Sequence, residues 1–154
     1  MKIVGNKIIY FEINDNYHFN NLVPLRISIN SKYLGTLESP TYLPSFVELL
    51  KSILESDYHM NEMATIDNIR SILFNNYGEL VDTYRITLEE TFDDFSKRVI
   101  RNKDKIFFCF KLHENPFFKY PDMNADEYII ECIPKEYYAS ALDALVRYLS
   151  SFSE

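Results

Sequence analysis

The densest group of side chains that could do chemistry lies in residues 88–95, with the sequence Leu-Glu-Glu-Thr-Phe-Asp-Asp-Phe. Glu89, Glu90, Asp93 and Asp94 place four carboxylates within six residues, with no basic side chain between them. Because clustered like charges raise one another's pKa, such a cluster persists where water, a cation or a basic partner relieves the repulsion. The segment is therefore a solvated acidic loop, a contact surface for a basic protein, or a metal or catalytic site. The last is the weakest interpretation, because the calcium-loop pattern is absent.

A basic hairpin is predicted directly after this acidic segment. Residues 95–112 contain one acid, Asp104, and six basic side chains, which gives a local charge of +5. The basic residues are Lys97, Arg98, Arg101, Lys103, Lys105 and Lys111. Since the whole chain carries −7, the remainder carries −12. One interpretation is nucleic-acid binding. The favoured one is a sheet-edge hairpin whose lysines oppose aggregation, or which pairs with the acidic segment.

An aromatic segment at residues 115–122 has the sequence Asn-Pro-Phe-Phe-Lys-Tyr-Pro-Asp. Each proline disfavours helix at the residue before it, so we predict a loop. Aromatic side chains on a loop either fold onto the core or stand exposed as binding anchors. The sequence favours core packing and leaves exposure as the alternative.

Recognisable enzymatic motifs do not occur in the sequence. Three glycines, Gly5, Gly35 and Gly78, cannot form a glycine-rich phosphate loop, and no Gly-x-Ser-x-Gly motif is present. The histidines lie in separate segments, at no spacing typical of a helical metal pair. They are His18, His59 and His113. We therefore expect a binding protein with no catalytic residue, cofactor or metal.

The composition indicates one domain spanning residues 1–154. The chain is 47% apolar and contains twelve Phe and twelve Tyr, enough to build a sizeable core. Its net charge of −7 argues against general affinity for nucleic acid or anionic membranes, because both attract excess Lys and Arg. An acidic surface instead favours a basic partner.

Several features favour a reducing, cytoplasmic location. Cys109 and Cys132 lie in apolar, strand-like runs and are too few for a disulfide framework. No secretory signal is expected, because Asn6, Lys7 and Glu12 interrupt the first apolar stretch. The longest later apolar run is far too short to span a bilayer.

The first third of the chain is predicted to form strands. Residues 8–13 are β-branched and aromatic, and residues 25–29 alternate apolar and polar side chains. Residues 30–32 suit a hairpin turn that returns as a strand over residues 33–37. Pro24 cannot donate to a ladder, so it is expected at a sheet edge or a bulge.

Two helices are predicted next. Ser45 and Glu48 form a capping-box pattern that predicts the start of the first helix. The second helix is predicted over residues 66–74, with Thr65 as its N-cap and Ile66 facing inward. It should end at the Asn-Asn-Tyr-Gly sequence of residues 75–78, which tolerates left-handed backbone.

The second half is predicted to return to strands and close with a helix. Strands are expected over residues 83–88, 95–100, 105–112 and 128–133, and Pro134 should open the last helix. The pattern lacks regular β-α-β alternation. It therefore predicts an α+β fold, an antiparallel sheet of six to seven strands with two to three helices packed on it.

Several of these segments together resemble one known family. They are Thr-Phe-Asp-Asp-Phe at residues 91–95, Arg98, Lys-Leu at residues 111–112, and Pro-Phe-Phe-Lys-Tyr-Pro-Asp at residues 116–122. The chain also has a glycine-containing start at residues 3–6 and the acidic strand sequence Phe-Glu-Ile at residues 11–13. These features resemble the immunity-protein family numbered forty-two of bacterial polymorphic toxin systems.

The resemblance implies a non-enzymatic, cytoplasmic inhibitor, such as a contact-dependent growth inhibition immunity protein. Its partner would be the toxin domain delivered by a sibling cell, expected to be a basic, nuclease-like protein. The toxin-binding residues would then be Glu89, Glu90, Asp93, Asp94 and Asp122. The first strands and first helix are an alternative contact surface.

Other interpretations stay open. The aromatic members of the motif, Phe92, Phe95, Phe117 and Phe118, could instead mark the core. The protein could be an adaptor or regulatory subunit of another bacterial system, or a small metal-dependent hydrolase using the acidic segment. Its oligomeric state is either monomer or homodimer.

Overall fold

The structure is a computed structural model that describes residues 1–125 and 127–153. These residues form seven strands and three α-helices. In chain order they are β1 (Lys2–Gly5), β2 (Ile9–Ile13), β3 (Leu22–Ile29), β4 (Lys32–Tyr42), α1 (Leu43–Glu55), α2 (Ile69–Leu73), β5 (Phe95–Arg101), β6 (Lys105–Leu112), β7 (Ile129–Pro134) and α3 (Lys135–Ser150).

The first sheet has the antiparallel order β1-β2-β3-β4. Asn30 and Ser31 both adopt positive φ, 49° and 68°, which matches the twist of a tight hairpin, and Ile29 pairs with Lys32 across the turn. The register shifts between Pro24 and Leu25. The predicted turn is therefore confirmed, and Pro24 lies at a bulge as expected.

The second sheet has the antiparallel order β5-β6-β7. The Asn102 N–H donates to the Lys105 carbonyl at 3.0 Å and closes the β5–β6 hairpin. The outer edge of β5 is covered in part, because the Val99 N–H donates to the Tyr84 carbonyl at 3.0 Å. The other edge of this sheet is β7.

One apolar core joins both sheets to α1 and α3. Phe11 of β2 meets Phe46 of α1 edge to face, with ring centroids 6.0 Å apart. Tyr138 of α3 is fully buried, and its hydroxyl donates to the Leu50 carbonyl of α1 at 2.7 Å. That bond satisfies the one polar group that Tyr138 brings into the core.

A second, smaller core lies on the opposite face of the second sheet. Ile69 and Leu73 of α2 pack there against Ile100, Phe107 and Cys109. The second sheet is therefore covered on both faces, which explains the long apolar runs of β5 and β6. None of the described helices is both long and apolar enough to cross a bilayer.

The predicted α+β class is confirmed, as are the seven strands and three helices. The strands divide between two antiparallel sheets. Strands β4 and β7 each end a sheet, and within the described residues they do not pair with each other.

The predicted capping box of α1 is wrong. The helix begins at Leu43, before Ser45, because Pro44 lies in its first turn, where a fixed helical φ favours initiation. The Ser45 hydroxyl donates to the Tyr42 carbonyl at 3.5 Å, and Glu48 forms an ion pair with a lysine one turn later.

The predicted second helix is shorter than expected. The prediction of Thr65 as the N-cap is wrong, because Asn68 occupies that position. The Thr65 hydroxyl oxygen accepts from the Asn68 N–H at 3.3 Å in a turn that precedes α2. Ile66 is 64% exposed, so the expectation that it faces the core is wrong. The turn at residues 75–78 ends the segment as predicted, with Gly78 at φ +76°.

The predicted strand at residues 83–88 does not form. Tyr84 has a positive φ of 70°, which breaks extended backbone, and only a single bridge joins Arg85 to Arg98. Ile86 and Leu88 are nonetheless buried, as their alternation indicated. Strand β1 was not predicted, because three of its four residues are exposed and give no buried face.

Candidate protein-binding surface

Three of the six basic side chains in the predicted hairpin are buried. Lys97, Arg98 and Arg101 are 7%, 7% and 6% exposed. Arg101 donates to the Ile53 carbonyl at 2.9 Å near the end of α1, and Arg98 donates to the Val81 carbonyl at 2.7 Å. These guanidinium groups bind the backbone of their own chain, so they are unavailable to a nucleic-acid phosphate.

Lys97 links the hairpin to the acidic segment. Its ammonium donates to the carbonyls of Phe92 and Phe95, both at 2.8 Å. Burial lowers the pKa of Lys97 to about 8, although the nearby Asp93 and Asp94 carboxylates oppose the shift. The hairpin is therefore joined to the acidic segment, and the contact is made by the buried ammonium of Lys97.

The short helical turn Glu90–Phe92 is held against β4 by its two buried residues. The Phe92 ring lies where a Cβ at Gly35 would come within 2.5 Å of it, so only glycine fits opposite this ring. Phe92 also stacks on Phe46 of α1 at 5.2 Å. The hydroxyls of Thr91 and Thr41 are hydrogen-bonded to each other inside the core.

This anchoring decides which carboxylates face solvent. Because Thr91 and Phe92 point inward, Glu90 and Asp93 on either side of them are exposed, whereas Glu89 is half-buried. The backbone of the acidic segment is therefore held in place, and two of its carboxylates, Glu90 and Asp93, are exposed to solvent.

Asp94 has a different role from its neighbours. Its carboxylate accepts from the backbone N–H groups of Phe117 at 2.7 Å and Phe118 at 3.0 Å, and from the Tyr120 hydroxyl at 2.8 Å. Burial favours the protonated form of Asp94, but these three hydrogen bonds outweigh it and lower the pKa below its ordinary value. Asp94 thus holds the aromatic segment in place.

A second carboxylate fixes the same loop from β4. The Lys119 N–H donates to Glu38 at 2.8 Å. Next to Lys119, the Tyr120 ring packs edge to face on Phe95, with ring centroids 5.2 Å apart. The loop is therefore tied at three points.

Phe117 is the exposed member of this loop. Its side chain is 86% exposed and meets Phe118 edge to face at 4.9 Å. The prediction of core packing is therefore wrong for Phe117, although Tyr120 does pack on the core. Beside Phe117 lies a depression of about 410 Å³, lined by Ser39, Glu90, Thr91, Asp93, Asp94, Phe117 and Phe118. We call it the Phe117 depression.

A larger groove of about 600 Å³ lies on the other side of the same loop. Tyr33, Gly35 and Glu38 of β4 form part of it, and Asp122 of the loop and Ile129 of β7 form another part. The hydrogen bond between Glu38 and the loop separates this groove from the Phe117 depression, so the two are neighbours on one surface.

The structure thus brings Glu90, Asp93 and Asp94 together, whereas Asp122 lines the groove and Glu89 lines neither concavity. Sequence reasoning missed Glu38, because an isolated acid in a strand carries no pattern.

Metal and thiol chemistry find no support in the described part of the chain. Within it, no three His, Cys, Asp or Glu side chains converge in a way that could hold a metal ion. Burial raises the pKa of the Cys109 thiol to about 11, which disfavours the reactive thiolate.

No protein-family model and no curated protein sequence matches this chain. Its structure is similar to the crystal structure of CdiI from Burkholderia dolosa AUO158, with a TM-score of 0.55 and 10% sequence identity. The match covers 97% of this chain and 99% of that chain. At this identity the likeness shows a shared fold: the chain has the fold of CdiI across almost its whole length.

Proposed function

We propose that this protein is an immunity protein of the contact-dependent growth inhibition type, which neutralises a toxin domain in the cytoplasm by binding it. It acts as an inhibitor and catalyses no reaction. The observation that carries the proposal is the likeness to CdiI, an immunity protein, over 97% of this chain. Membership of immunity family forty-two, expected from residues 91–122, is matched by no family model, so the proposal rests on the shared fold.

The proposed partner is a basic, nuclease-like toxin domain, and the Phe117 depression is its proposed docking site. Exposed aromatic side chains make effective anchors at interfaces, and a ring on a fixed loop loses little conformational freedom on binding. Glu90 and Asp93 beside Phe117 would attract a basic surface and speed association. The proposed toxin-binding residues are Glu89, Glu90, Asp93, Asp94 and Asp122, together with Phe117.

Within this proposal the five carboxylates contribute differently. Glu90 and Asp93 contact the toxin directly, whereas Asp94 acts by holding Phe117 in position through its backbone hydrogen bonds. Asp122 contacts the toxin from the neighbouring groove, and Glu89 adds to the negative field of the surface.

Co-production with a toxin domain encoded directly beside this gene tests the proposal, and the absence of such a neighbouring gene counts against it. We expect the protein to restore growth of cells that make the toxin. A Phe117→Ala variant should lose protection, because the anchor is removed. Tyr77→Ala should protect fully, since Tyr77 is equally exposed, at 88%, but lines neither the Phe117 depression nor the larger groove. Circular dichroism checks that both variants fold.

The outcomes distinguish the proposed immunity function from the proposed binding site at Phe117. If the unmodified protein fails to protect cells from this toxin, the immunity proposal is wrong. If both variants protect equally well, the function stands and Phe117 is not the anchor.

A further inference from the structure

Strand β4 has one edge that faces away from its sheet. In an antiparallel pair, alternate residues direct their backbone N–H and C=O groups toward the partner strand. The two-residue turn between β3 and β4 makes Ile29 and Lys32 a hydrogen-bonded pair, so Leu34 also faces β3. Tyr33 and Gly35 therefore direct their backbone groups outward.

Those outward groups lie along the groove. Tyr33 and Gly35 both line it, and among the described residues β4 pairs with β3 alone. None of the other residues in the described ranges, 1–125 and 127–153, forms a backbone hydrogen bond with either of them from the groove side. A strand edge left unpaired in this way is a template for another extended chain.

The groove also lies beside the outer edge of β7. The Cys132 carbonyl points away from β6 and accepts from the side-chain amide of Asn30 at 3.3 Å. The same amide donates to Glu131 at 3.0 Å. An amide N–H is the group that a neighbouring strand would offer to this carbonyl, so Asn30 takes the place of a strand at the point where the two sheets meet.

We infer that the groove receives an extended segment of the toxin domain, which adds to β4 as a further strand. The inference rests on the proposed function and names how that partner is held. Backbone pairing would supply affinity that depends little on the sequence of the segment. Specificity would come from the charged side chains that line the groove, among them Lys32 at the start of β4 and Glu38 farther along the same strand. A basic side chain of the segment would therefore lie toward Glu38.

The toxin is favoured over a second copy of this chain on two grounds. Two copies with a net charge of −7 repel each other, whereas a basic domain is attracted. The groove and the Phe117 depression adjoin across the Glu38–Lys119 hydrogen bond, so a single toxin domain can cover both.

NMR-detected hydrogen exchange with the neighbouring gene's toxin domain as the probe tests this inference. In the free protein the amides of Tyr33 and Gly35 should exchange rapidly, and that of Leu34 slowly. In the complex, Tyr33 and Gly35 should become protected by at least about tenfold, as expected when a backbone amide enters a strand pair.

A pair of variants at one position tests the same point by affinity. Tyr33→Ala and Tyr33→Pro both remove the side chain, but only proline also removes the outward N–H. Proline is tolerated at an edge position whose N–H faces away from the sheet. We expect Tyr33→Pro to bind the toxin about tenfold more weakly than Tyr33→Ala, in line with one lost hydrogen bond.

Each outcome has a distinct meaning. Complex formation without protection at Tyr33 and Gly35, with equal affinity of the two variants, overturns the groove inference and leaves the proposed function intact. Absence of any complex overturns both. Protection that appears in the free protein as its concentration rises identifies a second copy as the occupant and overturns the toxin assignment.

Discussion

The acidic segment of residues 88–95 and the basic hairpin that follows it are adjacent in sequence, yet their charges end in opposite environments. Glu90 and Asp93 remain exposed. Lys97, Arg98 and Arg101 are buried, each against backbone carbonyls of the same chain. Formal charge in the sequence is thus a poor measure of surface potential here, because the fold buries three of the hairpin's six basic side chains and exposes two of the segment's four carboxylates.

The difference follows from hydrogen-bonding chemistry. Lysine and arginine have long apolar stems and several donors, so their heads can reach carbonyls left over at helix and turn ends. A carboxylate has only acceptors and needs converging N–H or O–H groups, which are scarcer. Asp94 alone in the acidic segment finds three such donors. Its neighbours Glu90 and Asp93 stay in water.

The largest expected effect comes from replacing one of the buried basic side chains of the hairpin. Arg101→Met should lower the free energy of unfolding by about 3 kcal/mol, because the carbonyls of Ile53 and Ser56 lose their buried donor. Urea denaturation measures the change. The control is Lys103→Met on the exposed tip of the same hairpin, which should change stability by less than about 0.5 kcal/mol.

Equal effects of the two substitutions would contradict this account. They would mean that the carbonyls bound by Arg101 find water as readily as they find the guanidinium.

A smaller effect is expected at Asp94, the one carboxylate of the segment with three donors. Asp94→Asn should lower the free energy of unfolding at neutral pH by about 1 kcal/mol, because an amide has one acceptor where the carboxylate has two. The amides of Phe117 and Phe118 should also exchange faster. Glu90→Gln is the matched control and should leave both measurements unchanged, since Glu90 is exposed.

The Asp94 effect should depend on pH in one direction. Because its hydrogen bonds lower the pKa, the stabilisation is complete above the ordinary value of 3.8 and is lost as the pH falls through the lower value in the folded protein. The two proteins should therefore converge in strongly acidic solution. A gap that persists there would show that charge on Asp94 is not its cause.

The smallest expected effect is the titration of Lys97. Burial lowers the pKa of Lys97 from 10.5 to about 8, so above pH 8 the unfolded chain holds a proton that the folded chain releases. Stability from this group must then rise with pH. Between pH 7 and about pH 8.5 the protein should gain about 0.8 kcal/mol relative to Lys97→Met.

Comparing the two proteins at each pH isolates this titration. Buried thiols such as Cys109 have a raised pKa and destabilise the fold as pH rises, but they do so equally in both proteins. A constant difference across the range would place the ammonium of Lys97 in water.

Much of the fold was predictable because local rules and packing agree. The alternation in β3, the type of residues in its turn to β4, and the apolar runs of β5 and β6 all specify one structure. The strand predicted at residues 83–88 failed because alternation indicates burial of Ile86 and Leu88, whereas the positive φ of Tyr84 is not encoded in that pattern.

The candidate surface was predictable only in part. The acidic segment was visible in the sequence, but the hydrogen bonds from Phe117 and Phe118 to Asp94 join residues 23 and 24 positions apart. No local pattern indicates such pairs. The exposure of Phe117 follows from those bonds, so it could not be derived from the composition of its own loop. The same holds for Glu38.

The central claim is that exposed acids around Phe117 hold a basic toxin domain, and a matched charge reversal tests it most directly. The affinity of the neighbouring gene's toxin domain would be measured by calorimetry at about 50 mM and about 500 mM salt. We predict that Glu90→Lys with Asp93→Lys weakens binding at least about tenfold at low salt and less at high salt. Glu136→Lys with Asp143→Lys changes net charge equally on the exposed side of α3 and should leave affinity within about twofold. Equal weakening by the two double variants, or none by the first, would contradict the account.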